Sequence, residues 1–125
     1  MANEIGYYIV ELKGNAPGRT LTINLGVNAT NGEAQGQVSW TGTANGKPEF
    51  TNAAVKGQIH HGGFGPDRIF LALTGEATVG FPPAMVIINE ALVVNITAND
   101  TWKGRATLSL NGHAFAEVEV AAVPR

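Results

Sequence analysis

Residues 101–121, TWKGRATLSLNGHAFAEVEVA, constrain the fold more than any other stretch, because their alternation leaves a single geometry open. Trp102, Gly104, Ala106 and Leu108 fall on one face and Lys103, Arg105, Thr107 and Ser109 on the other, the pattern of a half-buried strand. Asn111-Gly112 then reverses the chain. A two-residue turn would set Leu110 against His113 and Arg105 against Val118, which mixes charged and apolar residues on both faces. A three-residue loop with Gly112 left-handed pairs Leu108 with Ala114, Ala106 with Ala116, Gly104 with Val118 and Trp102 with Val120. It also pairs Arg105 with Glu117 and Lys103 with Glu119, opposite charges on a solvated face. The second register is the expected one.

The same grammar runs through the rest of the chain. Residues 5–13 read as a first strand with Tyr8, Val10 and Leu12 on one face and Tyr7, Ile9 and Glu11 on the other. After the loop at 15–18, Leu21, Ile23, Leu25 and Val27 alternate with Thr20, Thr22, Asn24 and Gly26. Asn31-Gly32 predicts a two-residue turn pairing Leu25 with Val38, Ile23 with Trp40 and Val27 with Gly36. The third strand covers 33–43, and a three-residue loop at Asn45-Gly46 sets Phe50 opposite Trp40. Periodicity breaks at Asn52-Ala53-Ala54 and resumes at Val55 in the opposite parity, which predicts a bulge. Residues 60–67 form a loop, 68–76 a fifth strand, 77–84 a second irregular connection and 85–97 a long apolar sixth strand.

Eight strands, mostly short turns and no helical period predict a single all-β domain over 1–125, an antiparallel meander closed into a small β-barrel. A β-sandwich is the alternative. Inward glycines such as Gly36, Gly57 and Gly104 favour closure, since small barrels turn corners there and make room for a Trp. Charged residues make up 14% of the chain, the net charge is -2, and the basic residues are scattered, which argues against nucleic acid as a partner. No Cys is present, so thiolate metal sites and disulfides are excluded. No signal-like or membrane-spanning apolar run occurs, and a cytoplasmic location is the expectation.

Three segments, NAPGRTLTINLGV, IFLALTGEA and TWKGRATLSLNG, resemble a small bacterial family known as domain of unknown function eighteen forty-two. The resemblance is of spaced short motifs over most of the chain. It implies a bacterial origin and an all-β domain, and no activity, because that family carries no catalytic or binding assignment.

Residues able to carry chemistry are few. Neighbouring His60 and His61 point to opposite faces of a strand, so no metal site and no cofactor is expected. No nucleophile elbow and no phosphate-binding loop occurs. Glu90 shares the parity of Val86, Ile88, Leu92 and Val94, so an unbroken strand aims its carboxylate inward as a polar anchor for a ligand. A bulge at Asn89-Glu90, or a pair with Arg68, is the plainer reading. Asp67, Asn99, Asp100 and Asn111, with Trp40 or Trp102, are candidates for a shallow sugar site, although Asn and Asp at turns ordinarily serve the backbone.

The expectation is therefore a non-enzymatic binding or interaction module with carbohydrate as the candidate ligand, taken by Glu90, Trp102, Asp100, Asn99 and Asp67. The alternative is a carrier of a small apolar ligand in a lipocalin-like or avidin-like barrel, which fails if Trp40, Trp102, Phe50 and Phe70 fill the interior. An enzyme of unknown type is the third reading, favoured by His113 or His61 beside Glu90. Because the sixth strand is apolar on both faces, a homo-oligomer, most simply a dimer, is expected through Tyr7, Ile9, Met85, Ile87, Ala91 and Val93.

Overall fold

The computed structural model describes residues 7–16, 19–28, 30–42, 49–62, 68–81, 84–99 and 101–123, with the side chains at 7, 8, 42, 81 and 84–87 outside that set. Eight strands follow one another: β1 (Tyr7–Ala16), β2 (Arg19–Asn28), β3 (Glu33–Gly42), β4 (Phe50–His61), β5 (Ile69–Phe81), β6 (Ala84–Ala98), β7 (Gly104–Leu110) and β8 (His113–Ala122). Each pairs antiparallel with the next and β8 returns to β1, so the meander closes into a barrel. The closing seam is short: Leu12, Lys13 and Gly14 pair with Ala122, Ala121 and Val120. The Val123 N–H extends it by donating to the Glu11 carbonyl at 2.8 Å. The described residues contain no helix long and apolar enough to cross a membrane.

Period-two alternation sorts the side chains as strand geometry requires. Leu12, Leu21, Ile23, Val38, Leu73, Val94 and Leu108 are among the residues fully enclosed by the barrel, and Trp40, Phe50 and Trp102 are buried with them. Phe70 points outward instead, its ring against Gly62. The expected bulge is present in β4. Asn52 takes φ 51° and donates its N–H to Ser39 Oγ at 2.9 Å, and the ladder slips between Val38↔Ala53 and Trp40↔Phe50.

Registers differ from expectation at two turns, in each case while keeping the faces. Asn28 pairs with Glu33, so a four-residue loop replaces the two-residue turn and Ile23 meets Val38, not Trp40. Gly32 N–H to the Asn28 carbonyl at 2.7 Å closes that loop, and the Asn28 and Asn31 side chains accept from Thr30 N–H and Glu33 N–H at 3.0 Å each. Asn111 and Gly112 take φ 51° and 84°, the two-residue turn with both central residues left-handed, and Leu110 pairs with His113. A bulge then lets Phe115 drop out of the ladder, so Leu108 faces Ala116 and Arg105 faces Glu119, not Glu117. One extra residue restores the faces that the two-residue turn alone would have exchanged. Phe115 meets the Trp40 ring edge-on at 6.0 Å between centroids.

Residues 77–81, expected to be irregular, continue β5 with Ala77 and Val79 fully buried, and β6 begins at Ala84, which pairs with Phe81. In β6, Leu92, Val94 and Ile96 are enclosed while Ile88 is 42% exposed.

Candidate functional site: a polar groove on the outer wall

Among the described residues, the predicted ligand groups Asn99 and Trp102 share one loop and Glu90 lies apart from them. Asn99 lies at the rim between β6 and β7, and its carboxamide serves its own loop. Its Oδ1 accepts from Thr101 N–H at 2.9 Å, the Thr101 hydroxyl at 2.7 Å and Lys103 N–H at 3.1 Å. Trp102, in the same loop, has its side chain buried and its backbone at φ 62°. Glu90 is half-buried on β6 opposite Ala77, in an unshifted part of the ladder, so the bulge offered as its plainer reading is absent. Eight residues separate it from Ala98 at the other end of β6, about 26 Å of strand. Asp67 and Asp100 lie outside the described residues. Asn111 is spent on the backbone of Ala91. Among the described residues, Glu90 is therefore apart from Asn99 and Trp102, and the Asn99 and Asn111 side-chain oxygens serve the backbone. His61 and Glu90 likewise belong to opposite ends of the barrel, and no ion pair joins His113 to Glu90 among the described residues. No group of three His, Asp or Glu side chains converges among the described residues.

A different site is built by the register of β2 to β5. Gly36 and Gly75 face Val55 from either side, and Gly57 lies one inward position further along β4. All three are inward positions, and a Cβ there would run into neighbouring backbone: the Asn24 carbonyl for Gly36, the Ala72 carbonyl for Gly57 and the Ala54 carbonyl for Gly75. Without side chains, neighbouring backbone comes close at these points. On the outer side of the wall at these glycines lies a depression with two lobes, about 630 Å³ toward Asn28 and Gln58 and about 670 Å³ toward Asn24 and Gln37. The lobes share Gln35, Lys56 and Thr74, so they form one groove.

The cross-strand rows are Gly26↔Gln35↔Lys56↔Thr74, Asn24↔Gln37↔Ala54 and Asn28↔Glu33↔Gln58↔Ala72. Gln58 is held by the loop above it, Nε2 donating to the Asn31 carbonyl at 2.8 Å. Among the described residues, the side chains of Asn24, Gln35, Gln37 and Lys56 make no hydrogen bond to the protein, and all four are exposed. They offer three carboxamides and one ammonium, donors and acceptors together. Ile9, 58% exposed, flanks the groove beside Gly26 and supplies an apolar edge. The sequence signal for the groove was the outward parity of these polar residues. What it lacked was the register that aligns glycines from three strands.

A smaller depression of about 220 Å³ lies at the rim between Glu49, Phe50, Thr51, Thr78 and Gly80. Nearby, buried Arg19 directs Nη1 to Glu49 Oε2 at 3.6 Å. The grooves formed by the described residues open on the outer wall or the rim, and the interior is occupied by packed side chains. No family model, curated protein or solved structure matches the chain.

Proposed function

We propose that the protein is a non-enzymatic binding module that takes a polar, hydroxyl-rich ligand, a carbohydrate chain, in the groove across β2 to β5. The observation that carries this reading is the set of exposed, uncommitted Asn24, Gln35, Gln37 and Lys56 side chains above a glycine-lined depression. Carboxamides donate and accept at once, which matches sugar hydroxyls, and the Ile9 side chain offers contact to a sugar C–H face. The described side chains lining the groove are mostly polar or small, which supports a hydrogen-bonded and water-bridged binding mode along an extended chain. The carrier reading is opposed by the packed buried side chains that occupy the interior among the described residues.

A glycan array run beside a fluorescent fatty-acid displacement assay tests the proposal. Glycan binding that falls about ten-fold in Gln35→Ala and in Lys56→Ala, the loss of about one good polar contact, is the expected result. Binding indifferent to both substitutions, or displacement of the fatty acid with no glycan bound, refutes it. We also read the chain as a homo-oligomer, supported by exposed Ile9 and Ala91 and half-buried Val93, while the side chains of Tyr7, Met85 and Ile87 lie outside the described residues.

A further inference from the structure

β6 is 15 residues long and β7 only 7, and their ladder begins at Leu92↔Leu110. Before Leu92, the side of β6 turned away from β5 has no ladder partner among the described residues. The direction of its backbone groups follows from neighbouring bonds. Gly80 exchanges both its N–H and its C=O with Glu49, at 2.9 Å each. Ile87, the partner of Gly80 in the β5–β6 ladder, is therefore a non-hydrogen-bonded position there and points its own N–H and C=O off the sheet. Ala91 is oriented alike, and Asn111 takes both of its groups: Asn111 N–H donates to the Ala91 carbonyl at 2.8 Å, and Ala91 N–H donates to Asn111 Oδ1 at 2.9 Å. Asn89, midway between, shares the orientation. The edge thus presents Ile87 and Asn89, bounded by the Asn111 cap on one side and by the register shift after Gly80 on the other.

We propose that a second copy of the chain pairs with this edge antiparallel about a two-fold axis, Ile87 of each copy facing Asn89 of the other. This register engages both outward-pointing residues. Centring on Asn89 would set Ile87 against Ala91, which Asn111 already holds, and centring on Ile87 would set Asn89 against the irregular stretch of the ladder. In the proposed register, Ile88 of each copy faces Ile88 of the other as a non-hydrogen-bonded pair, the arrangement in which side chains approach most closely. Ile88 is one of three large apolar side chains found exposed among the described residues, at 42%, and this pairing covers it. Residues 84–89 carry no charge and the edge contains neither Lys nor Pro, the residues that ordinarily protect an open strand. The two Glu90 carboxylates fall on opposite sides of the axis, so like charges do not face each other. The inference rests on the homo-oligomer reading and assigns its interface to an edge instead of a face.

Sedimentation equilibrium over a wide concentration series, with residue-resolved amide exchange on the same samples, tests it. The expected result is a monomer–dimer equilibrium in which the Ile87 and Asn89 amides exchange about ten-fold more slowly in the dimer. The Ile88 and Glu90 amides, directed at β5, keep one rate at all concentrations. Ile88→Glu, at an exposed position, is expected to stay folded and to be monomeric. A chain that is monomeric throughout overturns both the edge pairing and the oligomer reading. A dimer with rapidly exchanging Ile87 and Asn89 amides, or one that persists in Ile88→Glu, overturns the edge pairing alone.

Discussion

Replacing Asn99 by alanine removes the acceptor of three hydrogen bonds, two from backbone N–H groups and one from the Thr101 hydroxyl. Each contributes about 1 kcal/mol, and water replaces part of that in an exposed loop, so the net loss is about 2 kcal/mol. The same loop holds Trp102 at φ 62°, a conformation that costs a non-glycine residue about 1–2 kcal/mol. Opposing its release is burial of the indole, about 4 kcal/mol for roughly 150 Å² or more taken from water. Burial exceeds strain, so the ring stays in place when the loop is loosened. Asn99→Ala is therefore expected to lower stability by about 2 kcal/mol and the melting midpoint by roughly 8 °C. In a Trp40→Phe background only Trp102 emits, and its emission should remain that of a buried indole. Asn99→Asp keeps the acceptor oxygen and should melt within about 2 °C of the parent. An Asp variant as unstable as the Ala variant refutes the assignment of the loss to these bonds. A fully red-shifted Trp102 emission from a chain that is otherwise folded refutes the ordering of burial above strain.

Gly57→Ala should cost about 3 kcal/mol in urea unfolding, because the added methyl meets the backbone carbonyl of Ala72 and not a side-chain end that can move aside. Gly112→Ala, with φ 84° but nothing within 4 Å of the new Cβ, should cost only about 1 kcal/mol; equal losses at the two sites would contradict this account. Leu73→Ala is expected to cost about 3 kcal/mol, and a loss below about 1 kcal/mol would mean that the interior is not packed. Glu49→Gln should cost about 1 kcal/mol, since the Glu49 side chain is 32% exposed beside buried Arg19, and the difference should shrink in high salt. A penalty insensitive to salt would show that the pair acts through geometry and not charge.

Much of the barrel was legible locally. Alternation separated inward from outward residues on nearly every strand, the parity break at Asn52 located a bulge, and Trp40 was placed opposite Phe50. Gly80 and two prolines suggest an irregular connection over 77–84, whereas the ladder carries β5 through to Phe81. At the rim, what residue type leaves open is settled by hydrogen bonding. Asn99 has the chemistry of a sugar ligand, but its oxygen is consumed by its own turn, and residue type alone does not reveal such a commitment.

The sequence by itself determined the all-β class, the face on which each strand buries its apolar residues and the position of the β4 bulge, because side-chain direction depends only on parity along a strand. Parity survives a slip of two residues, which is why β2 and β3 keep their faces although their register differs from expectation by that amount. Register itself, and everything that depends on it, was decided by the tertiary structure. Turn length and bulges compete within about 1 kcal/mol of one another, and closure of eight strands into one ring selects among them. Only after that selection do Gly36, Gly57 and Gly75 come together beside the groove that Gln35 and Lys56 line. The same closure ends β7 at Leu110 and, among the described residues, leaves the edge of β6 at Ile87 and Asn89 without a ladder partner.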